Sequence, residues 1–398
     1  MKKITYISSY TFNKIKYDQF GIEYLKQFLD ISIIDLSQAY EKERKDKENK
    51  GVFNNIIYLD NIKQVKQTLI EISPDCIVPM GPENFVNKIL EISREFSFKS
   101  LRLFHLPTVD TSEEFNLSIK IKFFLQLIFL HFDLKSFFYI FFKKVKSLIK
   151  FLIKISLKKK KILNENIIFL AGYKAMPINI NKGVSKIVHT HSVDYQNTLD
   201  FKTKSKRNIK NNEKIAIFLD QILFHHPDYK LIKNFSSPVS EKYLYELKKF
   251  FNFIQTKFDY KIIIALHPRC DDSTLSLYEE FFKLKCFRHK TMELISDSKI
   301  VISHPSTTAI AYPVIFKKPL IFITTNELEK NYYKYVTFRM INNMIKQPFI
   351  NISNNKEFEK LNTLERLDLE GYNKYFSNYI KSNQAKEDSL WKCFLQNI

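Results

Sequence analysis

The stretch KIVISHPSTTAIAYPVIFKKPLIFITT, residues 299–325, carries the strongest structural signal in the chain. Its first apolar run predicts a buried strand that ends at His304, and its last apolar run predicts another strand. Between them, Ser306, Thr307 and Thr308 favour the start of a helix, where exposed N–H groups and hydroxyls suit an anion. The segment therefore predicts strand, tight turn, helix and strand, with a phosphate-sized site at the turn.

The same alternation extends along both halves of the chain. Short apolar runs bounded by polar turns occur at 4–8, 31–36, 55–60, 76–80, 167–172, 186–191, 214–220, 261–268, 299–305 and 319–325, with helical patterns between most of them. This order indicates parallel sheets with helices on both faces, which is an α/β fold of two doubly wound Rossmann-like domains. We predict a first domain at 1–200, a polar linker at 201–213, a second domain at 213–370, and a final helical segment, 371–398, that is a candidate to pack back on the first domain.

Composition narrows the class of protein. A hydrophobic share of 45% and a charged share of 26% are typical of a folded chain, and 398 residues suffice for two domains. None of the six glycines is spaced as a dinucleotide-binding or Walker loop, so phosphate must meet hydroxyls, imidazoles and helix N-termini. Four scattered cysteines and an N-terminus without a secretory pattern predict free thiols and a cytoplasmic location, and no cofactor is predicted.

Three predicted strands end in chemically useful residues, Asp220, His267 and His304. Because ligands of open α/β sheets bind at the carboxyl ends of strands, we expect these side chains near one crevice. His267, Pro268 and Arg269 could hold a phosphate, with the imidazole donating a hydrogen bond and the guanidinium neutralising charge. The alternative for His267 is a structural cap at a strand end.

A carboxylate at this edge could take a proton from an attacking hydroxyl if burial raises its pKa. Asp220 is the first candidate for this base, and Asp194, in the sequence His-Ser-Val-Asp-Tyr near the interdomain cleft, is the second. Glu83 of the first domain is a further alternative. The alternative for Asp220 is a cap for the following turn.

A metal site must also be weighed, because residues 189–194 read HTHSVD, similar to the HxHxxD pattern of metallohydrolases. The candidate ligands are spread over several strands and repeat no zinc signature, so no metal ligand is assigned. A metal-dependent hydrolase remains an alternative function.

The net charge of +21 is concentrated in part in a basic aromatic insertion, 114–161. Its apolar runs are too short to span a bilayer, and its lysine and aromatic faces favour docking of 123–161 on an anionic membrane surface. The alternatives are a helical hairpin packed on its own domain or a dimer contact. No nucleic-acid recognition motif is present, so we predict no nucleic-acid partner, although a non-enzymatic basic membrane- or nucleic-acid-binding protein remains an alternative.

The two doubly wound halves, the basic patch, and the HisPro and Ser/Thr strand ends resemble a GT-B glycosyltransferase. More narrowly, they resemble bacterial sialyltransferase-like and capsule or lipooligosaccharide glycosyltransferases that use CMP-activated sugars. In those families an HP motif contacts the donor phosphate, and a Ser/Thr pair after a later strand binds it too. His267-Pro268 and Ser306-Thr307 (or Thr307-Thr308) occur here in that order, about one βαβ unit apart.

The resemblance implies an inverting, metal-independent transfer of a nonulosonic, sialic-type acid from a CMP donor to a surface glycan or glycolipid, by an enzyme on the cytoplasmic face of the inner membrane. It covers about 213–326 well and the first half only in architecture. The families carry an acidic pair followed by glycine as the base motif, whereas this chain has Asp220-Gln221-Ile222. The alternative donor is a UDP, GDP or dTDP sugar.

Overall fold

A computed structural model describes residues 1–40, 55–107, 166–175, 186–204, 213–226, 229 and 236–398. The predicted basic aromatic insertion, 114–161, lies outside these residues. The described residues form two domains, each built on its own parallel sheet.

The first domain has a seven-stranded sheet in the order β3-β2-β1-β4-β5-β6-β7, in which all paired strands are parallel. Its chain order reverses between β1 and β4, as in a Rossmann fold. The strands are β1 (Lys3–Ser8), β2 (Asp30–Asp35), β3 (Ile56–Tyr58), β4 (Cys76–Met80), β5 (Lys99–Phe104), β6 (Ile167–Leu170) and β7 (Lys186–His189).

The second domain has a six-stranded parallel sheet in the order β10-β9-β8-β11-β12-β13, which reverses between β8 and β11. The predicted fold class, an α/β fold of two doubly wound Rossmann-like domains, is confirmed by these two sheets. The strands are β8 (Ile215–Leu219), β9 (Lys261–Leu266), β10 (Lys285–Arg288), β11 (Ile300–Ser303), β12 (Leu320–Thr324) and β13 (Phe349–Asn351).

Helices follow most strands. In the first domain and the connection they are α1 (Lys14–Gln19), α2 (Ile22–Leu25), α3 (Ser37–Tyr40), α4 (Ile62–Ile72), α5 (Glu83–Glu95) and α6 (Val193–Lys204). In the second domain they are α7 (Lys242–Phe258), α8 (Asp272–Phe282), α9 (Thr291–Asp297), a 3-10 turn (Thr308–Ile310), α10 (Ala311–Ile315), α11 (Asn326–Lys330), α12 (Tyr332–Ile345) and α13 (Asn355–Glu359). The C-terminal segment holds α14 (Leu369–Tyr375), a π-helical turn (Phe376–Ile380) and α15 (Leu390–Asn397).

The central strand β8 shows why apolar runs predict the sheet correctly. Its five residues, IAIFL, are all buried, because helices cover both faces of the sheet. Phe218 packs into the cluster on one face with Tyr243, whereas Ile217 and Leu219 pack into the cluster on the other face. Alternate residues of a strand thus pack into different cores. The same alternation decides on which face of the sheet each predicted site residue lies.

The C-terminal helix α15 packs on the first domain. Leu390, Trp391 and Phe394 belong to the same buried cluster as the residues of β1, and the Phe394 ring lies 4.9 Å from the Phe169 ring. Just before α15, Tyr372 and other residues of 372–380 pack into the second domain. The last 30 residues therefore contact both cores.

Three local features differ from the sequence predictions. The helical pattern between the first two predicted strands is broken into α1 and α2 by Gly21, whose φ of 59° is left-handed. Strands β5, β10 and β13 were not predicted, because KSLRLF, KCFR and FIN are short or carry charges. The first residues of the predicted linker, 201–204, are helical, because α6 continues to Lys204.

Within the part of the chain that the structure describes, no helix combines the length and hydropathy needed to cross a bilayer.

Candidate active site

A cavity of about 720 Å³ lies between the two domains. The first domain contributes residues of α1, the connecting helix α6 contributes one wall, and the second domain contributes the segments that follow β9, β10 and β11. The lining residues are Ile15, Gln19, Asp194, Asn197, Asp200, Phe201, Lys204, His267, Pro268, Arg269, His289, Thr291, Met292, Glu293, Thr307, Thr308, Ala309 and Tyr312. The cavity thus occupies the position where open α/β sheets bind ligands.

The segment after β9 brings three predicted residues, His267, Pro268 and Arg269, to the cavity. The backbone N–H of Arg269 donates to His267 Nδ1 at 3.2 Å. Since Nδ1 accepts this bond, the proton of the neutral imidazole is placed on Nε2. The neutral ring is then a hydrogen-bond donor through Nε2.

The segment after β11 brings Thr307 and Thr308 to the cavity. Thr307 is the N-cap of the 3-10 turn, and its hydroxyl oxygen accepts a bond from the N–H of Ala309 at 3.2 Å. Because that oxygen is the acceptor, the hydroxyl hydrogen can donate elsewhere. The predicted helix start is thus present, but it begins at Thr307 and not at Ser306.

Ser306 is exposed and does not line the cavity. Its hydroxyl donates to Gln221 Oε1 at 3.0 Å, and Gln221 Nε2 donates to the carbonyl oxygen of His304 at 3.0 Å. These bonds tie the ends of β8 and β11 together, so we assign Ser306 a structural contact instead of the predicted donor contact.

His304 is fully buried and lies away from the cavity. Its Nδ1 donates to the carbonyl oxygen of Ile323 at 2.8 Å, and the Tyr243 hydroxyl donates to its Nε2 at 2.9 Å. Burial lowers the pKa of His304 to about 3, so the ring is neutral. His304 was predicted to bind the donor, but it is a buried structural residue that does not line the cavity.

Asp220 is also buried, with 5% of its surface exposed, and it does not line the cavity. Neither carboxylate oxygen has a hydrogen-bond partner among the described residues. Burial raises the pKa of Asp220 to about 7, and the N–H groups of Ile222 and Gln221 oppose this rise. Those amides therefore act on the carboxylate by proximity, without hydrogen-bond geometry.

Asp220 and His304 share one geometric cause for their placement. Asp220 lies two residues after Phe218, and His304 lies two residues after Ile302. Since every second side chain of a strand points to the same face, both are directed into the core beneath α7, to which Phe218 and Ile302 belong. His267 lies two residues after Ala265, whose side chain packs on the opposite face of the sheet, so His267 is directed to that face. The strand-end rule locates the correct edge of the sheet, but the period of two decides the face.

Asp194, the second predicted base, lines the cavity. It lies in the first turn of α6 and is partly exposed. Burial raises the pKa of Asp194 to about 6, and the nearby Tyr312 hydroxyl and the backbone N–H of Asp194 oppose the rise. The group is therefore ionised at neutral pH but is more basic than an ordinary aspartate.

The histidines of HTHSVD pack on the C-terminal segment. His191 is fully buried, with Nδ1 3.1 Å from the carbonyl oxygen of Ser192 and Nε2 2.9 Å from that of Asp388. The Ser382 hydroxyl lies 3.3 Å from His189 Nδ1. No group of three or more possible metal ligands occurs among the residues that the structure describes. The two histidines of the HxHxxD-like pattern thus form contacts between the first domain and the C-terminal segment.

Several lining residues were not predicted from sequence. Tyr312, Asn197 and Lys204 come from α10 and α6, while His289 and Glu293 flank the start of α9. Tyr312 lines the cavity together with Asp194 and Asn197. Helix α6 has a weakly amphipathic sequence, so the face that lines the cavity has no clear signal, although the three-residue spacing of Asp194 and Asn197 does place them on one face.

No family model and no curated protein matches the sequence. Among solved structures, the chain is similar to MurG from Acinetobacter baumannii, with a TM-score of 0.49 and 9% identity over 100% of both chains. It is similar to a UDP-GlcNAc 2-epimerase from Methanocaldococcus jannaschii, with a TM-score of 0.48 and 12% identity over 96% of this chain and 98% of that one. It is also similar to the calicheamicin glycosyltransferase CalG4, with a TM-score of 0.48 and 9% identity over 94% of this chain and 92% of that one. The fold assignment depends on the strand orders of the two sheets and not on these similarities.

Proposed function

We propose that this chain is a glycosyltransferase that moves a sugar from a nucleotide donor to a hydroxyl group inside the interdomain cavity. The observation that supports this most directly is the meeting of anion-binding groups, His267, Arg269 and Thr307, with a carboxylate, Asp194, around one cavity. Acid-base transfer to a hydroxyl needs both an anion site for the leaving group and a base.

The donor phosphate would lie against the turn at Thr307 and Thr308. The hydroxyl hydrogen of Thr307, the backbone N–H groups of the turn and Nε2–H of His267 are donors suited to phosphate oxygens. Arg269 adds a permanent positive charge. As the bond between the anomeric carbon and the phosphate oxygen breaks, these groups would stabilise the negative charge on the leaving nucleotide.

Asp194 is our candidate for the base. The acceptor hydroxyl would give its proton to this carboxylate while its oxygen bonds to the anomeric carbon on the face opposite the leaving phosphate, which inverts that carbon. A pKa of about 6 suits this role, because the group is ionised at pH 7 yet retains proton affinity. Asp220, buried on the other side of the sheet, is not placed for this step.

For the donor we propose a CMP-linked nonulosonic acid. The order of His267-Pro268 before Thr307-Thr308 matches the resemblance described above, and the sugar of such a donor carries a carboxylate besides the phosphate. The cavity offers Arg269 and Lys204 as cations for two anionic groups. A UDP, GDP or dTDP sugar is the alternative, and the acceptor would be a glycan or glycolipid of the cell surface.

The enzyme would act at the cytoplasmic face of the inner membrane, held peripherally by the basic aromatic segment, 123–161. This proposal depends on sequence alone, because the segment lies outside the described residues. Nine lysines between 143 and 161 alternate with Phe, Leu and Ile, a composition suited to anionic lipid.

The proposed reaction is tested by assaying the purified protein with CMP-, UDP-, GDP- and dTDP-sugars and following nucleotide release and glycan product. We expect release of CMP with an acidic sugar, and Asp194→Asn to lower kcat by about 100-fold or more, since the variant lacks the base. Asp220→Asn is the matched control and should retain transfer. A chelator should leave the rate unchanged, whereas the hydrolase alternative predicts its loss. Transfer that survives Asp194→Asn at the wild-type rate would contradict the base assignment.

A further inference from the structure

The segment that follows β9 is a tight turn that brings two candidate phosphate-binding residues, His267 and Arg269, to the cavity. Its central residues are Pro268 and Arg269. The backbone N–H of Cys270 closes the turn by donating to the carbonyl oxygen of His267 at 2.9 Å. Proline is favoured at the first central position of such a turn, because its ring fixes φ. The positions of both phosphate-binding residues therefore depend on one turn.

Arg288, the last residue of β10, bonds to this turn from the neighbouring strand. Its Nη1 donates to the carbonyl oxygen of Cys270 at 2.7 Å, and its Nη2 donates to a carboxylate oxygen of Asp272 in an ion pair. Cys270 ends the turn, and Asp272 is the first residue of α8. The planar guanidinium thus holds the junction between the turn and the helix through two of its donors.

The register of the sheet explains why this side chain lies beside the turn. Arg288 pairs with Leu266, the last residue of β9, and paired residues of a parallel sheet share a face. The cluster beneath α7 includes Leu266, Cys270 and Cys286. Arg288 lies two residues after Cys286, so its side chain is directed to the same face, and 28% of it is exposed. Most of the side chain is thus buried, which restricts the orientations in which the guanidinium makes its bonds.

The residue after Arg288 also belongs to the cavity wall. His289 lines the cavity with Thr291, and its φ of 59° is left-handed, a conformation that is uncommon for residues with a Cβ. The cavity therefore receives residues from both sides of the contact that Arg288 makes, His289 after β10 and His267 after β9. Loss of this contact would change the relative position of the two stretches of wall.

We propose that Arg288 is a positioning residue that holds the turn at 267–270 in the conformation that binds the donor phosphate. This inference rests on the proposed function, in which His267 and Arg269 bind that phosphate. Arg288 does not line the cavity, so it acts through the backbone of the turn and not by contact with the donor.

The tautomer of His267 gives a direct measure of the state of the turn. The backbone N–H of Arg269 donates to His267 Nδ1 at 3.2 Å, and this bond favours the neutral tautomer with its proton on Nε2. If the turn relaxes, the bond is lost and the tautomer with its proton on Nδ1 becomes populated. In that tautomer Nε2 cannot donate to a phosphate oxygen. The effect of Arg288 can therefore be measured without any substrate.

The first test records the ¹⁵N shifts of histidine side chains in the full-length protein at about pH 9, well above the ordinary pKa of histidine. His267→Gln assigns the signals. We expect the Nε2–H tautomer of His267 in the wild type and a mixture of both tautomers in Arg288→Ala. Arg288→Lys keeps the charge but lacks the planar fork, so it should show a smaller admixture and keeps the test open if the alanine variant does not fold.

Lys285→Ala is the matched control, because Lys285 is a basic residue at the exposed start of the same strand. It should leave the tautomer of His267 as in the wild type. An unchanged tautomer in both Arg288→Ala and Arg288→Lys would overturn the inference, and so would an equal change in Lys285→Ala.

Nucleotide binding supplies the second readout. The affinity for CMP, measured by calorimetry, should fall about tenfold in Arg288→Ala and should be unchanged in Lys285→Ala, because only the first variant loses the shape of the turn. Wild-type affinity in Arg288→Ala would overturn the inference. If the wild type binds no nucleotide, the proposed function is wrong, and the tautomer measurement still decides whether Arg288 holds the turn.

Discussion

Asp220 is a carboxyl group enclosed by aromatic and sulfur-containing side chains at the end of β8. Burial raises the pKa of the Tyr243 and Tyr278 hydroxyls and of the Cys270 and Cys286 thiols, and the charge of Asp220 would raise the pKa of each group further. None of these partners offers a hydrogen bond of good geometry. A buried carboxylate without partners is costly, so its protonation should be linked to folding.

We predict that Asp220→Asn makes the protein more stable at neutral pH. The pKa of Asp220 is about 7 in the folded state against 3.8 ordinarily, so the folded state binds the proton more tightly. The stabilisation of the folded state by protonated Asp220 is complete below about pH 4 and is lost as pH rises through about 7. Its upper bound is on the order of 4 kcal/mol in the free energy of unfolding. Asparagine has no such loss.

Urea melts of the wild type and of Asp220→Asn at pH 5 and pH 8 measure this effect. We expect the difference in stability between the two proteins to favour the variant more at pH 8 than at pH 5. Equal differences at the two pH values would show that the carboxyl group does not titrate abnormally. His304→Ala is not a suitable comparison, because it would leave the Tyr243 hydroxyl without its partner.

At this scale the sequence predicted the site in part. Apolar runs fix where strands end, and this rule brought His267, Arg269 and Thr307 to the correct edge. The position of a strand end does not tell on which face of the sheet a side chain lies. Counting residues in steps of two from a core residue of each strand would have placed His267 and Asp220 on opposite faces. The place of Tyr312 in the cavity wall could not be predicted, because it depends on how the two domains pack, and no local pattern encodes that packing.

Among the elements, α15 shows how the end of the chain is attached to the first domain. The left-handed Gly21 separates α1 from α2, and a Cβ added there would lie 2.2 Å from the ring of Trp391. The glycine is thus needed twice, for its positive φ and for the close approach of the indole. Sequence could show the break in the helical pattern but not the distant partner of the glycine.

We predict that Gly21→Ala destabilises the protein and that shortening Trp391 relieves part of the cost. The left-handed conformation should cost about 1 kcal/mol, and the overlap with the indole about 1 to 3 kcal/mol more. In a Trp391→Leu background only the first cost should remain. A double-mutant cycle measured by urea unfolding gives this coupling. The same cost for Gly21→Ala in both backgrounds would show that α15 does not pack on Gly21.

Over the whole molecule, the two domains are linked by α6 and by the C-terminal segment. Tyr375 illustrates the second link, because it is buried with residues of the second domain while its hydroxyl donates to the carbonyl oxygen of Pro107 in the first. The sequence predicted two domains because each half repeats the strand and helix alternation. It could not predict their mutual packing, which depends on contacts between residues about 190 to 270 apart in the chain.

One prediction at this scale concerns membrane binding. Replacing the nine lysines of 143–161 by glutamine should abolish co-sedimentation with vesicles that contain anionic lipid, because each lysine near such a surface contributes about 1 kcal/mol. The control replaces nine exposed lysines of the second domain. Undiminished vesicle binding by the first variant would contradict the docking proposal without touching the proposed reaction.

The central claim is that the interdomain cavity binds a nucleotide through the turn at Thr307. It is tested most directly by the melting temperature of the protein in the presence of CMP, UDP, GDP and dTDP, with Thr307→Val and Thr325→Val as the matched pair. Both threonines cap a helical segment after a strand, but only Thr307 lines the cavity.

We predict that CMP at about 100 times its Kd raises the melting temperature of the wild type and of Thr325→Val by on the order of 5 °C, and that Thr307→Val loses most of this rise relative to its own baseline. No rise with any of the four nucleotides, or an equal rise in Thr307→Val, would contradict the account.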